Sequence, residues 1–124
     1  MEPLYAGTDG VGDEEYLGLL FPAVRTGIER FQPEILFYVG GADPYCEDQL
    51  GGLSLTMPGL KARDSGVFEE ARRKNIPVVT VLAGGYARRV EDTVTIHCNT
   101  VIAAKEVFLA RPTTSGFDSV GEPS

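Results

Sequence analysis

The chain is 124 residues long with a formal net charge of −7 at pH 7, the size of one ordinary domain and large enough to bury a core without metal or disulfide staples. Phosphate surfaces attract clustered Lys and Arg, so this acidic balance excludes an electrostatic footprint for nucleic acid or an anionic membrane and favours solubility. No apolar run approaches the ~20 residues needed to cross a bilayer.

Residues 1–12 carry a short apolar piece, readable as a truncated strand, and then a glycine-rich loop. From Asp13 the acidic "DEE" stands where a helix N-terminus favours negative charge, and Tyr16, Leu20, Val24 and Ile28 recur at helical spacing, predicting a helix over 13–31 that Pro22 kinks and that Gln32 and Pro33 close. "EILFYVGG" is continuously apolar, as in a parallel strand covered on both faces. Thr56 then caps a helix with Pro58 in its first turn and Leu60, Val67, Phe68 and Ala71 as its apolar stripe. The basic "RRK" at 72–74 suits the end of that helix, which Asn75 and Pro77 terminate. "VVTVL" is a second strand. A third helix is expected from about Ala87 to Val107, with Val90, Val94, Cys98 and Val101 inward. The tail, 108–124, lacks periodicity and is expected to be mobile, leaving 1–107 as the domain.

Helix and strand alternate, so the class is α/β with parallel strands, and ligand sites of such sheets lie outside the carboxyl ends of the strands. Both predicted strands close on two glycines, and Asp43 in "GGADPY" and Tyr86 in "AGGY" follow immediately. They are expected on one rim. An aspartate at a strand end can be a metal ligand, a phosphoacceptor, a general base or a turn former, and "GGADP" taken alone is more often a loop than a site.

Four ordered segments, "GTDGVGDEEYL", "ERFQPEILFYVGGADPY", "DQLGGLSLTMPGLKARDSGVF" and "IPVVTVLAGGYARRVEDT", together resemble the C-terminal portion of the histone deacetylase family, closest to its class IV and bacterial members, over roughly residues 4–104. The resemblance implies part of an arginase/deacetylase-type three-layer α/β/α fold. It also implies a zinc-dependent amidohydrolase that deacylates acyl-lysine or small acylated amines. By the same resemblance Asp43 is one of three protein ligands to the metal, Tyr86 donates a hydrogen bond to the oxyanion, and Gly84 and Gly85 turn the backbone sharply beside the substrate. The family pattern further requires a His-His pair for acid/base work and an Asp-x-His segment supplying two ligands. This sequence holds a single histidine, His97, and no Asp-x-His. A catalytic zinc site needs about three protein ligands, so the chain alone is expected to be inactive, an incomplete, split or eroded form that lacks an N-terminal half or self-associates.

The remaining candidates carry plainer readings. His97, on the helix face of Val90, is expected to be structural rather than a ligand. Asp48 is expected to organise its loop through backbone amides. Tyr45 and Cys46 could line a substrate entrance, with loop packing the simpler role. Arg63 and Asp64 are expected to make local helix contacts, and Arg88 and Arg89 to be solvated. Cys46 and Cys98 form no C-x-x-C pair and no secretory signal pattern is found, which fits a reducing cytoplasm. Two rivals remain: a phospho-receiver domain with Asp43 as acceptor, which would need five strands, and a non-catalytic binding module.

Overall fold

A computed structural model describes residues 11–49 and 53–109; the expectations of an initial strand and a mobile tail fall largely on residues outside these. The elements follow the predicted order: α1 (Asp13–Phe31), β1 (Leu36–Gly41), α2 (Met57–Arg73), β2 (Val78–Ala83) and α3 (Val90–Phe108). Local chemistry explains most of the boundaries. Asp13, Glu14 and Glu15 occupy the first turn of α1, and Gln32 closes it in the left-handed region at φ 46°. Thr56 caps α2 by accepting the Gly59 N–H at 3.0 Å, with Pro58 in the first turn. The Asp13 carboxylate in turn accepts the Thr56 N–H at 2.8 Å, so the starts of α1 and α2 are tied together.

Strands β1 and β2 form a parallel two-stranded sheet in the register Leu36 with Val78 through Gly41 with Ala83. Because successive side chains alternate across a sheet, Leu36, Tyr38 and Val78 share one face. These three pack against the helices, Leu36 and Val78 beside Ile28, Ala71 and Ile76, and Tyr38 and Val78 beside Phe68, Ala103 and Val107. The other face carries Phe37, Val39, Val79 and Val81, all exposed; Phe37 and Val39 are each 65% accessible. Cover on both faces was expected, and among the described residues only one face has it. The apolar run of β1 is that of a doubly covered strand, but all the packing that the described helices give the sheet falls on its Leu36 and Tyr38 side.

The inward face of α3 also differs from expectation. Val90, Val94 and Val101 are exposed, as is Cys98, while Ile96, Thr100, Ala103 and Val107 are buried. Both sets recur at helical spacing, and the second is selected because its small members let α3 approach α2 and because Thr100 has a buried partner. That partner is Asp64, fully buried on α2. Its carboxylate accepts hydrogen bonds from the Tyr38 hydroxyl and the Thr100 hydroxyl, and from Arg63 Nε at 3.0 Å. The local contact expected of Arg63 and Asp64 is present, and it is extended into a network joining β1, α2 and α3, since Asp64 falls on the apolar stripe between Leu60 and Val67. Burial pushes the Tyr38 phenol well above its ordinary range, with Asp64 adding to the effect and Arg63 opposing it.

Candidate active-site rim

The two strand endings meet as the sequence pattern requires. Asp43 lies in the turn just past β1 and Tyr86 just past β2, and the last pair in register, Gly41 and Ala83, brings those turns side by side. Asp43 is exposed and Tyr86 is 60% accessible. Between them runs the Gly84–Gly85 turn, with φ of 51° at Gly84 and 131° at Gly85. These are angles at which a side chain strains the backbone. Space enforces the same choice, because a Cβ on Gly84 would fall on the Asp43 carboxylate, and one on Gly85 would press to 2.8 Å from Thr93 Cγ2 and 3.0 Å from Ala42 Cβ.

A second loop holds the turn from the side. Asp48 is buried at 8% exposure, and its carboxylate accepts the Tyr86 N–H at 2.6 Å. Gln49 N–H donates to Tyr86 O at 2.9 Å and Arg88 N–H to Glu47 O at 3.1 Å, closing an antiparallel bridge between Asp48 and Ala87. Asp48 is thus the loop-organising carboxylate expected of it. The same bridge explains why α3 begins at Val90 rather than Ala87, since the backbone of 86–88 is already engaged with the Asp48 loop. Arg89 consequently precedes the helix, with Glu91 at 3.8 Å and both side chains largely in solvent.

The helices hold the strand ends from beneath. Arg63 Nη1 donates to Gly41 O at 2.8 Å, and His97 Nε2 lies 3.2 Å from Gly84 O. Neither contact was foreseen; the one available signal was that Arg63 and His97 sit beside buried positions of their helices. Tyr45 is core, packed with Ala42, Leu55, Leu60 and Ile96, and its hydroxyl donates to Asp92 at 3.1 Å. Burial first, and Asp92 second, push its phenol up to about 12. Cys46 and Cys98 are free and exposed.

The family model of the histone deacetylase domain matches residues 3–101. The chain belongs to the histone deacetylase family. It is 39% identical over 89 residues to Histone deacetylase 2 of Arabidopsis thaliana, covering 68% of this chain and 23% of that protein. An uncharacterized protein of Picosynechococcus is 32% identical over 100 residues, covering 81% of this chain and 33% of its own. Type-1 histone deacetylase 1 of Dictyostelium discoideum is 31% identical over 78 residues, 63% of this chain and 15% of that protein. This histone deacetylase-family chain therefore spans a third or less of the length of each of these relatives. Family membership leaves the phospho-receiver reading without support.

A catalytic zinc takes about three protein ligands. Among the described residues no group of three His, Cys, Asp or Glu side chains converges to hold a metal ion. Asp43 offers one anionic donor at the rim, and the donor set present here does not by itself fit a catalytic metal.

Proposed function

We propose that this chain carries one metal ligand and the oxyanion donor of a zinc-dependent deacylase acting on acyl-lysine or small acylated amines. The observation that carries this reading is the adjacency of Asp43 and the Gly84–Gly85–Tyr86 turn at the carboxyl ends of two paired parallel strands. Asp43 would ligate zinc together with donors from outside the described residues. The Tyr86 hydroxyl would donate to the oxygen that becomes negative when an amide carbonyl is attacked, a hydrogen bond that strengthens only as charge develops and so lowers the barrier. Gly84 and Gly85 would let the substrate pass close to the backbone. Proton transfer would require the histidine pair that this sequence lacks, so the chain alone would be inactive. No helix among the described residues is long and apolar enough to cross a membrane, and two free, exposed cysteines support a reducing cytoplasmic location.

Metal analysis and hydrolysis of acetyl-lysine peptides test the reading. The 124-residue chain is expected to bind no stoichiometric zinc and to turn over no substrate. In a chain that also supplies the His-His and Asp-x-His segments, Asp43→Asn should lower zinc content and rate together. Tyr86→Phe should keep the metal and lose on the order of 10²–10³ in rate. Full zinc in Asp43→Asn, or unchanged turnover in Tyr86→Phe, would remove the respective role.

A further inference from the structure

We infer that His97 is a positioning residue for the Gly84–Gly85–Tyr86 turn, acting from α3 through the Gly84 carbonyl. A carbonyl oxygen can only accept, so the 3.2 Å contact requires the proton to reside on Nε2. Nδ1 is buried and has no hydrogen-bond partner among the described residues, which leaves it no acceptor to which a proton could be directed. The ring is therefore held in the Nε2–H tautomer with its one directed bond aimed at the turn.

Geometry around that bond shows what it controls. Thr93 and His97 stand one helical turn apart on the same face of α3. Thr93 meets the place a Gly85 side chain would take, while the Gly84 backbone abuts the Asp43 carboxylate. Gly84 and Gly85, both at positive φ, have no side chains of their own to lock the turn. The Tyr86 N–H beyond them is fixed by Asp48, so the turn is anchored at one end by Asp48 and at the other by His97. Freeing the Gly84 peptide would let Tyr86 drift relative to Asp43 while the strands beneath stayed paired. The catalytic meaning of this role rests on the reading of Asp43 and Tyr86 as one site; the positioning itself does not.

The test uses the unmodified 124-residue chain and needs no metal or substrate. Because His97 is its single histidine, ring nitrogen–proton correlation spectra at alkaline pH, well above the ordinary imidazole range, report its tautomer without ambiguity. Nε2–H is expected, and Nδ1–H would overturn the inference. In His97→Phe, which keeps a ring but no donor, the Tyr86 amide should exchange with solvent roughly two- to tenfold faster, the range set by one net hydrogen bond. Amides of the α2 core such as Phe68 should be unchanged. His97→Gln, which restores a donor, should return Tyr86 most of the way. Unchanged Tyr86 exchange in His97→Phe, or equal acceleration of Tyr86 and Phe68, would show that His97 serves only general stability. If His97→Phe does not fold, the tautomer and the Gln variant decide the question. Absence of zinc and turnover in a chain that also supplies the His-His and Asp-x-His segments would remove the deacylase reading and leave these measurements untouched.

Discussion

Substitution of Asp48 probes the site through its support. The Asp48 carboxylate is buried and accepts the Tyr86 N–H at 2.6 Å, a charge-assisted bond in the class that contributes about 1.5–3 kcal/mol, against about 0.5–1.5 kcal/mol for a neutral one. Asp48→Asn keeps an oxygen in place and loses the charge, so the cost should be about 1 kcal/mol. Asp48→Ala removes the acceptor altogether and leaves the Tyr86 N–H without it, for about 2–3 kcal/mol. Two backbone bonds, Gln49 to Tyr86 and Arg88 to Glu47, survive either change, so the loops should stay together. Urea denaturation of the two variants measures both costs, and hydrogen exchange at Tyr86 localises them. The order should be Asn milder than Ala, with the Tyr86 amide the most accelerated. An Asp48→Ala chain within about 0.5 kcal/mol of the parent, the range of an ordinary surface change, would refute the claim that this carboxylate holds the turn.

Asp64→Asn should be the most damaging single change in the core, destabilising by about 3–5 kcal/mol, because it strands the buried Arg63 charge; a urea midpoint close to the parent's would contradict the network. The phenol of Tyr45 is raised in the folded chain to about 12, above the ordinary tyrosine value near 10. Its stabilising contribution is therefore complete below pH about 10 and lost as pH rises through about 12. Phenolate absorbance against pH should show late titration that coincides with alkaline unfolding, and Tyr45→Phe should reduce that component, leaving the share of the buried Tyr38 phenol. The bare sheet face should drive self-association of the isolated chain. Lysine at Phe37 or Val81 should weaken it by about tenfold or more, given the apolar burial at stake; sedimentation of a compact monomer with cooperative unfolding would argue that the face is tolerated in water.

Much of this was legible because it is local. Acidic residues at the start of α1, Thr56 before Met57 and Pro58, and Asn75 before Pro77 each act within a turn of chain, and the helix and strand order follows from them. The paired strand-Gly-Gly endings placed Asp43 and Tyr86 on one rim for a related reason: parallel neighbours must present the same end. What escaped was tertiary. On α3, Val94 and Val101 are more apolar than Thr100 and Ala103, so hydropathy chooses the wrong face; the choice is made by close approach to α2 and by the Asp64 carboxylate waiting there. Asp64 itself lies at helical spacing from Leu60 and Val67, a readable sign of burial; its local ion pair with Arg63 was legible, and its bonds to Tyr38 and Thr100 were not. The late start of α3 could not be read either, since it depends on a bridge between segments nearly forty residues apart.

The residues that would do chemistry stand at the surface, and the residues that set their geometry act on the backbone behind them. Asp43 and Tyr86 are exposed, with little packing to lose. The groups that aim them are two buried side chains, Arg63 on the carbonyl that ends β1 and Asp48 on the Tyr86 amide, and the half-buried His97 on the carbonyl that follows β2. Each support acts on a peptide group rather than on a functional side chain. Tyr86 and Asp43 can therefore stay free to meet a ligand while their backbones are fixed from three directions. Such an arrangement suits an oxyanion donor, which must be in place before charge develops and must not be tied up by the protein beforehand. It also accounts for polar groups within a small core. Apolar packing alone can press a turn against a helix, but it cannot orient two neighbouring carbonyls and an amide, and here hydrogen bonds from Arg63, His97 and Asp48 give that direction.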